Sequence, residues 1–518
     1  MLWIALHLPL LSLESFVATL PGGAAKQQPV ALMDAQRIVC TNAAAQALGV
    51  KTGLKRATAL ALAPQLTLGQ ADPARDRLAI TGVAHAALAF TPSVTLEPWG
   101  DASTAPHTVL LEVQASLRYF GGRAKLLQCL RAAMAPLGHQ VVCASALTAQ
   151  GAALLSRLDD APQGLHAADL PSLGCLLHGA PVWLLEAGRE HWDVLQGMGL
   201  RTCADLQRLP RSGVARRFGE TLLDEFDRAL GNRPDPRRWI TLPDTFSSRL
   251  ELFARADTTE QVLHGASLLL VRLMAWASAQ HAQVRRFTLQ MQHEARHRHD
   301  AQTPPDSTLD IALAEPSSDI AHLRLLLRER LAHLQLPAPT LELQLHCSDI
   351  ARRAPPNQEL FATTQSEREG LVRLIERLQA RLGGEQVQRL SRIEDHRPER
   401  SSALHASPAA ALEPGSSRGR ATASAAAPTM PVPRPVWLLP QPEALPERQF
   451  RPLLDGRALH LLCGPERIES GWWDAALAER DYFIAQASDG ALVWIYRARL
   501  PLSAAAEGEG WFLQGRFG

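Results

Sequence analysis

Apolar positions along the first 165 residues fall into two alternating patterns. Short runs at 2–8, 29–33, 109–113 and 139–144 predict buried strands, and Ala/Leu-rich stretches at 42–49, 55–63, 76–90, 123–135 and 147–157 predict helices. That alternation argues for helices layered on a sheet. Residues 166–243 read differently, as short helices separated by Gly-bearing turns (LQGMGLRTCADLQRLP, then RSGVARRFGETLLDEFDRALG). Residues 244–352 predict strand 247–254, helix 258–279, strand 284–293, strand 307–313, helix 317–334 and strand 338–347, a β-α-β-β-α-β order. A charged, solvated helix is expected at 366–382, within a 353–400 segment. From 401 to 433 the composition collapses into Ala, Ser, Pro and Gly, which predicts a disordered linker. Beyond it, 434–518 holds five of the eleven Trp (437, 472, 473, 494, 511) and two of the three Tyr (482, 496). So aromatic a segment reads as a small β-rich domain or an interaction module.

Length and composition bound this picture. At roughly 150 residues per domain, a chain of 518 residues holds three or four domains, so the expected class is α+β and multidomain. Hydrophobic residues at 46% and charged residues at 20% allow sizeable cores and exclude global disorder. With 53 basic against 52 acidic residues, the chain is not a uniformly basic nucleic-acid binder, so any such contact must use local patches. Seven cysteines without a Cys-x-x-Cys indicate neither a zinc knuckle nor a disulfide framework, and point to a reducing, cytoplasmic compartment. The opening MLWIALHLPLLSLESF lacks a positive n-region and carries His7 and Glu14, both poor fits to a secretory leader. No other run is expected to reach the ~18 apolar residues of a membrane span.

The module order, with several local stretches, resembles the Y-family translesion DNA polymerases: palm and fingers at 1–165, a helix-hairpin-helix thumb at 166–243 and a little finger at 244–352. LWIALHLPLLSLE resembles the family's first metal-binding strand, RIVCTNAAAQALGVKTGL its fingers helix and turn, VLLEVQASLRYFGG its palm hairpin, and GMGLRTCADLQRLPRSGVARRFG its thumb. EDHRPERS (394–401), CGPERIESGWWD (463–474) and the closing WFLQGRFG resemble a catalytically inactive, polymerase-like member of the bacterial mutasome.

Nucleotidyl transfer needs a carboxylate cluster that holds two hard Mg²⁺ ions. Where the resemblance implies an Asp-x-Asp strand end, this chain has His7 and Pro9, and only Glu97 matches the second acidic pair. Neutral imidazole is a softer ligand than Mg²⁺ requires. Glu112 belongs to the hairpin and Glu14 lies off the strand. The Tyr and Arg that grip a triphosphate in active members are matched by Ala43 and Gln46, the bulky steric gate by Ser12, and ALTAQGAALLSRLDD has no counterpart of the palm Lys. The resemblance thus implies no catalytic residue, no metal and no cofactor. The alternative is a low-activity polymerase using Glu97 and Glu112.

Binding features are better kept. Arg208, Arg211, Arg216 and Arg217 cluster in the thumb-like region, although ten Arg there are matched by ten acids over 166–243. Arg285 and Arg286 open a little-finger strand where active relatives contact template backbone. Asn357-Gln358-Glu359-Leu360-Phe361 resembles the pentapeptide that docks on the bacterial sliding clamp, with Leu360 and Phe361 as apolar anchors. Trp472, Trp473 and Asp474 are candidate partner contacts. For Trp472, Trp473, Trp494 and Trp511, core and interface roles are both open. The implied partners are DNA, the sliding clamp (the β subunit of DNA polymerase III), the RecA-like accessory protein ImuA and an error-prone DnaE-type polymerase. The expected function is a non-catalytic adaptor in SOS-induced translesion synthesis and mutagenesis, its linker setting the effective concentration of the recruited polymerase.

Overall fold

A computed structural model describes residues 1–20, 28–97, 107–158, 164–294, 304–352, 364–406, 433–474, 476–499 and 510–517. The chain divides into two compact units, Met1–Arg381 and Leu382–Gly518.

The first unit opens on an antiparallel sheet in the order Val94–Glu97, Thr108–Glu112, Trp3–His7, Val142–Ala146. Trp3–His7 is paired on both sides and buried on both faces. Its period-2 alternation splits it between two cores. Leu2, Ile4 and Leu6 face helices Pro73–Leu88 and Arg123–Met134, whereas Trp3 and Ala5 face helix Ala149–Leu155 and the helical module behind it. A smaller sheet, Arg37–Thr41, Val30–Asp34 and Thr67–Gln70, makes the fingers-like layer. Asn42 caps its helix Ala43–Ala47 by accepting from the Ala45 N–H at 2.9 Å.

The helical module runs from Leu170–His178 to Glu220–Leu230. Asp169 and Thr202 begin two of its helices with reciprocal capping boxes. Gly219, at φ +83°, turns the chain between Arg211–Phe218 and Glu220–Leu230, a conformation that favours glycine.

The third module has the expected β-α-β-β-α-β order. Its antiparallel sheet runs Asp306–Ser317, Ala282–His293, Thr340–Arg352, Phe246–Ala256, with helices Thr259–Ala279 and Ile320–Ala332 packed on it. Helix Thr259–Ala279 is long and apolar enough to cross a membrane, contrary to the expectation that no such run exists. Its apolar character has a packing cause: Leu269, Leu270, Leu273 and Trp276 fill this module's core. Helix Thr364–Leu382 is less solvated than its charge suggests. Val372, Glu376 and Ala380 are buried, and Glu376 pairs with His322 at 2.7 Å and accepts from the Ala314 N–H, which a bulge in Asp306–Ser317 leaves outside the strand ladder.

The second unit is a five-stranded antiparallel sheet ordered Trp437–Leu445, Trp511–Arg516, Leu492–Ala498, Ala478–Gln486, His460–Ser470. Val493 and Ile495 point to one face with Trp511 and Leu513, whereas Trp494 and Tyr496 point to the other with Tyr482 and Ile468. The expected linker needs one correction. Ser402–Ala406 is a strand paired with Gln388–Arg392. That hairpin belongs to the same compact unit as 433–517, and the rest of the expected linker, 407–432, lies outside the described residues.

Candidate active-site cleft and interaction surfaces

His7 ends the central strand, in register with Thr108, and its Nδ1 lies 2.9 Å from the Thr108 hydroxyl. Burial, reinforced by Arg157 and His107, lowers its pKa to about 3, so the imidazole is neutral at any physiological pH. Thr108 is in turn in register with Glu97 on the neighbouring strand.

Glu97 is 5% exposed. Its carboxylate is paired with the Arg237 guanidinium, which also donates to Asp235 at 2.5 Å and to the Gln150 side-chain oxygen at 2.9 Å. Burial pushes the Glu97 carboxyl up, against the pull of Arg237 and Arg157. Arg157 is itself buried, and desolvation holds it down to about 10. Glu225 completes the group, accepting from Gln150 at 3.1 Å and from the Glu186 N–H at 2.8 Å. Burial raises its pKa to about 7. These charges line a cavity of about 620 Å³ between the palm-like sheet and the helical module.

The other acids of the opening region are occupied. Asp76 accepts from the Ser12 and Ser15 hydroxyls. Glu14 accepts from the Gln140 N–H at 3.0 Å and pairs with His139 at 3.2 Å. Glu112 accepts from the Gln114 N–H at 3.2 Å. Among the described residues no three His, Cys, Asp or Glu side chains are grouped so as to hold a metal ion. In the fingers-like layer, the Gln46 amide donates to the Thr41 hydroxyl at 3.3 Å and Ala43 is exposed. Sequence reasoning missed Arg157, Arg237 and Glu225. Arg237 lies 140 residues from Glu97, in an Arg-rich segment that reads as solvated.

The arginines expected to meet DNA are placed unequally. Arg211 forms a two-pronged pair with Asp227, its Nη1 donating to Oδ1 at 3.1 Å, and Arg208 lies 3.5 Å from Asp205. Arg216 and Arg217, in the last turn of Arg211–Phe218, are exposed and form no ion pair among the described residues. In the third module, a break in the alternation of Ala282–His293 turns both Arg285 and Arg286 outward, with Arg286 only 3.9 Å from Asp310. The pentapeptide Asn357–Phe361 lies outside the described residues.

In the second unit, EDHRPERS and GPERIESGWWD meet. Arg397 is buried and donates to both oxygens of Asp474, at 2.9 and 2.6 Å, and to both of Asp395, at 3.0 and 2.7 Å. Its guanidinium lies 5.6 Å from the Trp473 ring centre. Arg400 adds a 2.5 Å contact to Asp474. The Arg397 hydrogen bonds hold the Asp474 carboxyl down to about 2. Asp474 is therefore engaged within its own unit. The open aromatic question divides cleanly: Trp494 and Trp511 are core, whereas Trp472 and Trp473 are 78% and 55% exposed and packed edge to face.

The modules and their order define the class. This is a multidomain α+β protein with a palm-like antiparallel sheet, a helical module and a β-α-β-β-α-β module, the order that the Y-family resemblance implies. No family model matches the chain. It is similar to curated proteins named ImuB from two Caulobacter vibrioides strains, NA1000 / CB15N and ATCC 19089 / CIP 103742 / CB 15. Each is 28% identical over 498 residues, covering 91% of this chain and 100% of theirs. A solved structure titled Dbh Ternary Complex (substrates partially disordered) matches 68% of this chain and 99% of its own, at 14% identity and a TM-score of 0.37. The chain is ImuB-like across nearly its whole length.

Proposed function

We propose that this protein is a non-catalytic, polymerase-like adaptor acting in the cytoplasm in SOS-induced translesion synthesis and mutagenesis. The observation that carries the reading is the fate of Glu97: the one acid that matches the metal-binding set is paired with Arg237. A carboxylate so engaged, beside a neutral His7 and Pro9, is a poor host for the two Mg²⁺ ions of in-line phosphoryl transfer.

In this reading the adaptor touches DNA through Arg216, Arg217, Arg285 and Arg286, with Arg208 and Arg211 in support. With so little surplus charge the contact is weak and salt-sensitive. Asn357–Phe361 docks on the sliding clamp. The exposed Trp472–Trp473 corner, held from behind by Arg397 and Asp474, serves the recruitment of ImuA and a DnaE-type polymerase.

Primer extension with purified protein and Mg²⁺ or Mn²⁺ tests the absence of catalysis. Template-dependent incorporation that is lost in a folded Glu97→Gln variant would overturn it. Replacing Leu360 and Phe361 by Ala is expected to abolish clamp pull-down and leave DNA binding unchanged; unaltered pull-down would remove the clamp assignment.

A further inference from the structure

Within the first unit, a second cavity of about 490 Å³ lies where the start of helix Pro73–Leu88 approaches Phe246–Ala256, the edge strand of the third module's sheet. Three arginines line it, from different elements.

Arg272 comes from the middle of the core helix Thr259–Ala279 and is 5% exposed. Its Nη1 donates to the Ser248 hydroxyl at 3.3 Å, and it forms no ion pair among the described residues. Burial alone, with no neighbouring charge to oppose it, lowers its pKa to about 10. Gly82 makes room for its stem: a Cβ there would stand 3.4 Å from the Arg272 Cγ.

Arg75 comes from the N-terminal module. Its Nη2 donates to the Gln70 carbonyl at 3.2 Å and its guanidinium stands 5.3 Å from the Phe16 ring centre. Its Nε is buried and donates to no acceptor among the described residues. The carboxylate beside it, Asp76 at 3.9 Å, is already shared by the Ser12 and Ser15 hydroxyls. Arg249 stands at the rim, 58% exposed and loosely paired with Glu342 at 3.6 Å.

Two acids line the same cavity. Asp72 is committed to the helix cap, accepting from the Ala74 and Arg75 N–H groups at 2.8 and 3.2 Å, and Glu251 is exposed. The lining keeps a positive surplus concentrated on its buried side. A guanidinium held out of water without a counter-charge is costly, and its planar fork matches the oxygens of a phosphoryl group.

We propose that this cavity is a phosphoryl-binding site, with Arg272 and Arg75 as its floor and Arg249 as its rim. Its ligand is either a phosphodiester of a nucleic-acid strand or the phosphate chain of a free nucleotide. Because Arg75 and Arg272 belong to different modules, an occupied site couples the N-terminal module to the third one.

The test uses the full chain and two probes, inorganic triphosphate and an abasic oligodeoxynucleotide, in calorimetric titration and in thermal unfolding. At least one probe is expected to bind and to raise the midpoint. Arg272→Met is expected to lose about tenfold or more in affinity, the scale of a charge-assisted hydrogen bond, with an unchanged circular dichroism spectrum. Loss of triphosphate affinity in Arg272→Met identifies a nucleotide ligand, and loss of oligonucleotide affinity identifies a strand, since the arginines proposed above to touch DNA are unchanged in that variant. Failure of both probes, or equal affinity in Arg272→Met, overturns the proposal. Should Arg272→Met not fold, the exposed Arg249→Ser decides: several-fold weaker binding with a salt slope reduced by about one supports the site, and unchanged binding overturns it.

Discussion

Glu97→Ala is the most direct probe of what the palm-like cleft has become. The substitution removes the partner of Arg237 and the largest opposing charge on Arg157, both buried beside it. Breaking a buried ion pair from one side costs about 3–5 kcal/mol, because the remaining charge is left desolvated. Asp235 still holds one arm of Arg237, which places the expected loss near the lower end, at about 3 kcal/mol. For a unit of 381 residues, at ~2.1 cal/mol/K of unfolding entropy per residue, that corresponds to a fall of roughly 4 °C in Tm, or about 1 M in urea midpoint for an m-value near 3 kcal/mol/M. A reporter is built in: Trp239, two residues from Arg237, stacks on Trp3 at 5.9 Å, so intrinsic fluorescence follows this corner. Adding Arg237→Ala should cost less than the sum of the single losses, with a coupling of about 1–3 kcal/mol in the double-mutant cycle. A Glu97→Ala protein within about 0.5 kcal/mol of the parent, or an additive double variant, would refute the assignment of Glu97 to a structural pair.

Glu225 has a raised folded-state pKa of about 7, so the folded form holds its proton where the unfolded chain releases it. Its contribution to stability is therefore lost as pH rises from the unfolded value of ~4.5 towards 7, by about 3 kcal/mol in all. Glu225→Gln should flatten that slope in denaturant titrations at pH 5 to 8, and an unchanged slope would show that Glu225 does not cause it. In the second unit, Trp494→Ala should cost about 3–5 kcal/mol by emptying the core, whereas Trp472→Ala should stay within about 0.5 kcal/mol; chemical denaturation of both variants distinguishes the core position from the exposed one. Gly471 sits at φ +86°, and a Cβ there would approach the Ala476 carbonyl oxygen to 2.2 Å and Arg397 Nη1 to 2.6 Å. Gly471→Ala is expected to lower the thermal midpoint of the second unit, with at least about 1 kcal/mol from the left-handed backbone alone, and an unchanged midpoint would contradict the described seat of Arg397.

What could be read from the residues beforehand depended on the range of the interactions. The β-α-β-β-α-β module was legible because its elements are long: Ala282–His293 alternates from Phe287 to His293, and Thr259–Ala279 keeps its buried stripe over 21 residues. Thr67–Gln70 and Val94–Glu97 escaped because neither holds more than two large apolar side chains, unlike the similarly short Trp3–His7 and Thr108–Glu112, and Arg37–Thr41 because it runs straight into the fingers-like helix. The place of His7 at the end of the first strand was legible from the apolar run before it. Arg237 and Glu225 were not, since their partners come from other modules and nothing local marks a guanidinium for burial. The aromatic ambiguity had a readable element: Trp494 lies in an alternating run, whereas Trp472 and Trp473 follow Gly471 in a turn. The interdigitation of EDHRPERS with GPERIESGWWD was invisible, because it depends on one arginine reaching across 77 residues.

The reach of Arg397 also changes what may be cut. Hairpin 388–406 and the sheet beyond 433 share one unit and are joined through Asp474. Two fragments, one ending after the hairpin and one beginning before Trp437, should therefore remain associated and co-elute under native conditions. By the same logic, a truncation that begins at 434 separates Asp474 from its guanidinium and exposes the back of the tryptophan corner. A fragment meant to keep the exposed Trp472–Trp473 corner intact therefore has to begin near Leu382, with the hairpin included.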